Sequence, residues 1–303
     1  MESSIDPDLT VNICGVRLSN PLILASGIKG KMSAPLLAKY SKDAGAITTK
    51  SCNLKGRKGH PPPTIWIGKP AILNAAGLPN DGVDSVIKEI RECRKISDIP
   101  IIASVFENSV EGFGEVASRI SEAEPDLIEI DMSCPNVQEE RVMFSDSCQS
   151  AGEVIRKIKK VTKIPIIAKL SPAVSNIAEI ALECERAGAD AICAINTMPA
   201  MEIDPIKRAF VLSNKFGGMS GPCLKPIALR CVYQIRKAVR IPIIGTGGIE
   251  TGEDCARFFL AGANAVGIGS VLYFDQDAFS RIKNELSTYM KKMNFTKISD
   301  IKM

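Results

Sequence analysis

The stretch I-P-I-I-A-K-L, residues 164–170, is one of three segments of the chain that begin with Ile-Pro-Ile-Ile. The other two begin at residues 99 and 241, and each of the three follows a stretch with helical spacing of its apolar residues. Short apolar runs rich in β-branched residues, without polar alternation, are typical of strands buried in a parallel sheet. The repeated segments therefore predict buried parallel strands that alternate with helices.

Strands of this type are predicted eight times along the chain. They are residues 21–26, 46–51, 99–105, 127–133, 164–170, 191–196, 241–247 and 265–270. Apolar residues at helical spacing lie between them, at 81–95, 109–122, 149–162, 176–187, 225–239 and 252–261. Eight strand–helix units within ~250 residues predict an α/β fold, a closed (β/α)8 TIM barrel, rather than a doubly wound open sheet.

Three further segments surround the eight units. Residues 10–19 predict a short N-terminal hairpin that covers the floor of the barrel. Residues 52–74 and 197–222 are long βα connections rich in Gly and Pro. Connections that follow barrel strands lie at the C-terminal face, where the active sites of this fold are built. We therefore expect a single domain, residues 1–303, with its functional site at that face.

The composition narrows the functional class. The chain is 45% hydrophobic and 24% charged, and its net charge of +4 comes from scattered basic residues with only 5% aromatics, which disfavours nucleic-acid binding. No apolar run approaches the ~20 residues that cross a bilayer, and the first ten residues are acidic and polar, unlike a signal peptide. The ten cysteines form no C-x-x-C pair. These features predict a cytoplasmic protein without membrane contact, metal ion or iron–sulfur cluster of its own.

Glycine-rich turns follow the last two predicted strands. They read G-T-G-G at 245–248 and G-I-G-S at 267–270. In this fold such loops bind phosphate through backbone N–H groups near a helix N-terminus, although tight turns alone also require glycine. A phosphate site fits sugar-phosphate enzymes and FMN enzymes equally.

Two lysines and a group of small polar residues stand at strand ends. Lys50 ends the second predicted strand, and Lys169 lies near the end of the fifth. Because an unpaired buried ammonium is costly, each predicts an anionic partner (a phosphate, a carboxylate or a reduced flavin) or a Schiff-base role. The small polar residues suit a planar, amide-like ring, although each alone is typical of a turn. They are Ser26, Asn74, Asn136, Asn196 and Thr197.

Cys134 is the candidate base. It lies in S-C-P-N, residues 133–136, on the connection after the fourth predicted strand rather than in an apolar helix. A free thiol has a pKa of ~8.5, close enough to neutrality for general-base catalysis. The one histidine, His60, lies in a Pro-rich loop. The competing interpretation is that Cys134 only fills space in the core.

Together these stretches resemble the class 1 dihydroorotate dehydrogenases. The likeness covers roughly residues 11–290, with each piece at a predicted strand end. The most specific pieces are N-P-L-I-L-A-S-G (20–27), T-K-S (49–51), N-A-A-G-L-P-N (74–80), S-C-P-N-V (133–137), A-I-N-T (194–197), G-G-M-S-G-P (217–222) and G-T-G-G-I (245–249).

The resemblance implies a mechanism and a set of site residues. Dihydroorotate would give a hydride from C6 to N5 of FMN while Cys134, matching the family's base, removes the C5 proton, which yields orotate for pyrimidine biosynthesis. The positions matching substrate contacts are Lys50, Asn74, Gly77, Leu78, Asp131, Asn136, Asn196 and Thr197. The positions matching FMN contacts are Ala25, Ser26, Lys50, Ser51, Lys169, Ile195, Gly221, Gly247, Gly248, Gly269 and Ser270.

The resemblance also implies a partner. One subclass works alone and reduces fumarate, whereas another pairs with a subunit that carries FAD and a [2Fe–2S] cluster and reduces NAD. Residues 213–230 look more like the second subclass. The expected assembly is a homodimer or a heterotetramer, with the partner supplying both the cluster and the dinucleotide site.

Asp131 departs from the family, which usually has Asn at this position. By period-two alternation it shares a face with Glu129 and Ser133, and that face is expected to line the barrel, where Lys50 or Lys169 would compensate its charge. Asp131 favours a related function, that of an FMN enzyme acting on another dihydropyrimidine. Two further functions compete with these: a non-redox lyase or isomerase that uses Lys169 as a Schiff base, and a non-catalytic flavin-binding scaffold.

Overall fold

A closed barrel of eight parallel strands forms the centre of the protein. The structure, a computed structural model, describes residues 6–33, 36, 39–40, 42–132 and 144–303. In chain order the strands are β1 (Val11–Ile13), β2 (Val16–Leu18), β3 (Leu22–Leu24), β4 (Ala46–Thr48), β5 (Ile65–Ile67), β6 (Ile72–Asn74), β7 (Ile101–Val105), β8 (Leu127–Asp131), β9 (Ile166–Leu170), β10 (Ala191–Ala194), β11 (Met198–Met201), β12 (Ile203–Asp204), β13 (Ala209–Phe210), β14 (Phe216–Ser220), β15 (Ile243–Thr246) and β16 (Ala265–Ile268).

The barrel runs in the order β3-β4-β7-β8-β9-β10-β15-β16 and closes from β16 back to β3. Each of these strands lies within one of the eight predicted segments, so the predicted (β/α)8 barrel is confirmed. Alternation divides each strand between two apolar layers: Ile101 and Ala103 pack outward against the helices, whereas Ile102 faces the barrel interior.

Helices alternate with the barrel strands and cover them. They are α1 (Val83–Arg94), α2 (Val110–Ile120), α3 (Cys148–Lys159), α4 (Ile177–Arg186), α5 (Lys225–Ala238), α6 (Gly252–Leu260) and α7 (Ala278–Lys292). The first six lie within or within one residue of the predicted helices. Local sequence sets several of their starts: Ser109, for example, accepts a hydrogen bond from the Gly112 N–H at the start of α2. No helix in the described part of the chain is long and apolar enough to cross a membrane.

The N-terminal hairpin closes one end of the barrel, as the sequence predicted. β1 and β2 pair antiparallel, and the fully buried Ile13 and Leu18 belong to the same apolar cluster as the interior barrel residues Ile23, Ile102 and Leu127. Burial of each such side chain contributes roughly 1.5–3 kcal/mol. The hairpin therefore covers this end of the barrel with apolar side chains, and we call the opposite end, where the barrel strands finish, the mouth.

Strands also form within the two long connections, where the sequence predicted only loops. β5, β6, β11 and β14 make a four-stranded antiparallel sheet, in the order β11-β14-β6-β5, which we call the mouth sheet. One face packs Leu73, Ala75 and Leu212 into a small core. The other exposes the apolar side chains Ile65, Ile67, Met201 and Phe216. The mouth sheet ties the connection after β4 to the connection after β10.

Candidate active site

The predicted site residues gather at the mouth because parallel barrel strands all end there. Ser26 follows β3, Lys50 and Ser51 follow β4, and Asn196 follows β10. Lys169 and Asp131 lie at the corresponding ends of β9 and β8, where they are directly opposite each other in register. Cys134 and Asn136 lie outside the described residues, so their assignment stays a prediction.

Lys169 is a buried cation that is held by a carboxylate. The residue is 7% exposed, and its Nζ lies 3.2 Å from Oε1 of Glu129. Burial by itself lowers the pKa of Lys169, but the carboxylates of Glu129 and Asp131 outweigh it and raise that pKa above its ordinary value. Lys169 is therefore an ammonium at neutral pH, and its charge is paired with Glu129.

Asp131 faces the interior, as period-two alternation predicted. Asn196 Nδ2 donates to Asp131 Oδ1 at 3.1 Å, and Asn196 Oδ1 accepts from the Thr197 N–H at 2.9 Å. Of the two lysines that were expected to compensate Asp131, Lys169 is the one whose pKa responds to this carboxylate. Asp131 thus orients the amide of Asn196 and contributes negative charge beside Lys169.

A chain of hydroxyl groups joins the mouth to the barrel interior. Ser26 Oγ lies 3.0 Å from Ser51 Oγ, and Ser51 Oγ lies 2.9 Å from Ser104 Oγ. Ser104 Oγ in turn donates to Glu129 Oε1 at 2.9 Å. The polar groups of four strand ends are therefore connected in one hydrogen-bonded network.

Lys50 lies in a different electrostatic setting from Lys169. It lines a cavity of about 680 Å³ together with Lys31, Asp81 and Glu89. Burial lowers the pKa of Lys50, and the carboxylates of Asp81 and Glu89 offset this effect only in part. The half-buried ammonium is thus incompletely compensated by the protein, which suits an anionic ligand.

The glycines after β14 and β15 allow sharp turns and close approach of the backbone at the mouth. Gly221, Gly247 and Gly248 have φ angles of 108°, 135° and 70°, which disfavour any residue with a Cβ atom. A Cβ atom at Gly248 would also lie 2.8 Å from the Gly221 carbonyl oxygen. After β16, Gly269 leads into a short 3₁₀ turn, Ser270–Tyr273, whose start has no side-chain cap. Backbone N–H groups at glycine-rich turns of this kind fit a phosphate group.

The loop after β6 carries backbone strain. Gly77 has φ 72° and Leu78 has φ 54°, and a leucine in this left-handed region costs roughly 1–3 kcal/mol. His60 packs against Gly77 so closely that a Cβ atom there would overlap the imidazole ring. Strain that the surroundings impose in this way is typical of ligand clamps.

Asn74 and Thr197 meet at the mouth sheet. Asn74 Nδ2 donates to the Gly218 carbonyl oxygen at 3.2 Å, and a Cβ atom at Gly218 would overlap Oγ1 of Thr197. Glycine at 218 therefore allows residues from the two long connections to approach each other. The structure brings together the described polar residues that the sequence singled out on these two connections.

The sequence is similar to one protein family and to individual members of that family. The sequence model of a family described as dihydroorotate dehydrogenase matches residues 8–290. The chain belongs to the dihydroorotate dehydrogenase family. It is 40% identical over 294 residues, 97% of each chain, to a Pyrococcus abyssi protein named dihydroorotate dehydrogenase B (NAD(+)), catalytic subunit. Proteins of the same name from Geobacter sp. strain M21 and Methanocaldococcus jannaschii are also 40% identical, over 97% and 95% of each chain.

Membership of the dihydroorotate dehydrogenase family, a family of oxidoreductases, confirms the resemblance seen in the sequence and weighs against a lyase. The charge of Lys169 also weighs against a Schiff-base lyase, because a Schiff base forms from a neutral amine. The amine of Lys169 is buried and paired with Glu129, and its pKa is raised. Among the residues that the structure describes, no group of three or more His, Cys, Asp or Glu side chains is placed to hold a metal ion.

The sequence did not single out Glu129, Ser104 or Cys193 as site residues. Glu129 accepts from Ser104 and Lys169, and Cys193 is a buried thiol whose pKa burial and the Glu129 carboxylate raise to about 12. A signal for Glu129 was present, namely a charged residue within an otherwise apolar strand on the same face as Asp131. A charge in such a place requires a partner.

Proposed function

We propose that this dihydroorotate dehydrogenase family member oxidises dihydroorotate to orotate with bound FMN, in pyrimidine biosynthesis. The observation that carries the proposal is the group of residues at the mouth: the buried ammonium of Lys169, the half-buried ammonium of Lys50, and the amides of Asn74 and Asn196. Family membership over residues 8–290 and the names of the relatives support the same reaction.

The residues at the mouth fit FMN. Gly221, Gly247, Gly248, Gly269 and Ser270 would hold the phosphate with backbone N–H groups. The ring would lie between Lys169 and the segment after β3, against Ala25, Ser26, Ser51 and Ile195, with Lys50 at its edge. FMN, when bound, supplies the acceptor for the hydride that leaves C6 of the substrate. A fixed ammonium at Lys169 favours negative charge on a ligand beside it.

Substrate recognition would use amides and strained backbone. Asn74, Asn136, Asn196 and Thr197 would donate to and accept from the pyrimidine ring. The N–H groups of Gly77 and Leu78 would bind the substrate carboxylate, which gives their left-handed conformations a function. Cys134 would take the proton from C5.

A second subunit completes the proposal. The relatives are named catalytic subunits of an NAD(+)-linked enzyme, which supports a partner for this chain. We assign FAD and a [2Fe–2S] cluster to that partner and a single FMN-binding domain, residues 1–303, to this chain, in a cytoplasmic homodimer or heterotetramer. The exposed apolar side chains of the mouth sheet, among them Ile67 and Phe216, support subunit contact at this end.

Release of the cofactor tests the proposed function. We expect the purified full-length protein to be yellow and, after denaturation, to release one FMN per chain by chromatography. Dihydroorotate added without oxygen should bleach the flavin absorbance, with fumarate as a chemical control that should not. FAD as the released flavin, or a well-folded protein without flavin, would contradict the proposal.

Asp131 supports a second candidate, the oxidation of another dihydropyrimidine, and a single substitution separates the two. We expect Asp131→Asn to keep dihydroorotate oxidation intact or improve it, because an amide still accepts from Asn196 and removes a charge that repels the substrate carboxylate. Turnover of dihydroorotate and of dihydrouracil is measured for both proteins. A wild-type protein that prefers dihydrouracil would replace the first candidate by the second.

A further inference from the structure

Glu129 is a buried carboxylate to which the proposed reaction assigns no role. It is 5% exposed and lies above an apolar interior layer that includes Ile102 and Leu127. Burial of a carboxylate costs several kcal/mol unless it is paired and hydrogen-bonded. A smaller apolar residue would fill the same place without that cost, so the contacts of Glu129 decide what it does.

One oxygen atom of Glu129 receives two donors from different strands. Oε1 accepts from Ser104 Oγ at 2.9 Å and from Lys169 Nζ at 3.2 Å. Strand register produces this arrangement: Ser104 lies directly opposite Glu129 on β7, and Lys169 lies two residues beyond the opposite position on β9, hence on the same face. Glu129 therefore joins the lysine to the serine chain.

The carboxylate also fixes the direction of the serine hydroxyls. An ionised carboxylate only accepts, so the single hydroxyl hydrogen of Ser104 goes to Glu129. Ser104 then accepts from Ser51, and Ser51 accepts from Ser26, whose hydrogen is shared between Ser51 at 3.0 Å and the Thr49 carbonyl oxygen at 2.8 Å. Ser26 is left with only lone pairs to offer, so a ligand group that binds its hydroxyl must be an N–H or O–H donor.

We propose that Glu129 is a positioning residue, whose carboxylate holds Lys169 in place and sets the hydroxyls of Ser104 and Ser51 as donors toward the barrel interior. The inference deepens the proposed function, on which it rests for the identity of the ligand at Ser26 and Lys169. The contacts of Glu129 with Ser104 and Lys169 are made within this chain and do not depend on which ligand binds.

The first test follows the proton affinity of Lys169 in Glu129→Gln. The groups that face Lys169 are Glu129 and Asp131 on β8 and Cys193 on β10. Lysine ¹⁵N NMR of the purified full-length protein, with the resonance assigned through Lys169→Met, should show a drop of about tenfold or more in proton affinity, one pKa unit. The matched control is Asp190→Asn, which removes the carboxylate that accepts from Lys159 and the Ile166 N–H at the other end of β9. A Lys169 that titrates alike in Glu129→Gln and the control would overturn the proposal.

The second test uses the flavin potential, which a merely structural role would not move. Loss of the Glu129 charge leaves Lys169 less compensated, so the potential of flavin bound to Glu129→Gln should shift in the positive direction, whereas Asp190→Asn should match wild type. No shift would count against Glu129. Absence of flavin from the wild-type protein would instead overturn the proposed function, and the Lys169 titration would still test Glu129.

The serine chain is tested by Ser104→Ala, which retains both charges. Lys169 should titrate as in wild type, while FMN affinity should fall roughly fivefold or more because Ser51 loses its acceptor and its hydroxyl turns toward Ser26. Unchanged FMN affinity would overturn the directional part of the proposal. If Glu129→Gln does not fold, the double variant Glu129→Gln/Lys169→Met replaces both charged side chains by neutral ones. The flavin bound to this double variant should not show the positive shift in potential.

Discussion

Lys169→Met is expected to lower the free energy of unfolding by about 3–5 kcal/mol at neutral pH, the usual cost of removing one partner from a buried ion pair. The lysine is 7% exposed, and its loss removes the ammonium that faces Glu129 and Asp131, which are buried on the same face of β8. Urea unfolding measures the change. Lys159→Met is the matched control, because Lys159 pairs with Asp190 at 3.0 Å while a third of each side chain is exposed, and it should cost less than ~1 kcal/mol.

The pH dependence of stability gives an independent check on Lys169. Its pKa is raised in the folded protein, so its contribution to stability is complete below the unfolded pKa of ~10.4 and is lost as the pH rises through the folded value. As the pH rises above ~10.4, the free energy of unfolding of the wild-type protein should therefore fall toward that of Lys169→Met, which lacks this contribution at every pH. If Lys169→Met and Lys159→Met had the same free energy of unfolding, the carboxylates of Glu129 and Asp131 would not be charged and buried as described.

Cys134→Ala is expected to slow reduction of the flavin by dihydroorotate by ~10²–10⁴-fold near neutral pH, the usual contribution of a positioned base. FMN should stay bound, because no FMN contact is assigned to this residue. Stopped-flow absorbance after anaerobic mixing measures the rate.

Cys134→Ser separates the base from a packing role. A serine retains most of the volume of the thiol, but an unassisted hydroxyl is a weak base at neutral pH, so this variant should also be slow. A packing role would instead give a serine variant close to wild type. An alanine variant within a few-fold of wild type would rule out Cys134 as the base.

The sequence predicted the barrel because the evidence for it is periodic. Runs such as residues 164–170 recur between stretches of helical spacing, and alternation along Leu127–Asp131 placed Glu129 and Asp131 on one face before any contact was known. Alternation does not give the stagger between neighbouring strands. The pairing of Asp131 with Lys169, and hence which lysine compensates which carboxylate, depends on that register.

The mouth sheet was missed for a different reason. β5 and β6 are three residues each and lie among glycines and prolines, so they contain too few positions for a period of two to be recognised. β6 pairs with β14, which is remote in sequence, and β5 pairs with β6 at the edge of the mouth sheet. Lys50 was placed at the correct strand end, but the cavity it lines is formed by residues from before and after β6, among them 55–58 and 79–81.

The mouth sheet has a consequence for the order in which the protein folds. The bond from Asn74 to Gly218 joins residues that are 144 positions apart, and closure of so long a loop carries an entropic cost that barrel formation must first reduce. A ribosome that has released only the first half of the chain has therefore made Asn74 without the Gly218 carbonyl oxygen that accepts from its amide. Ligand-binding competence should thus appear late in biosynthesis, after β14 has emerged, and nascent chains of increasing length should gain flavin binding in a single late step.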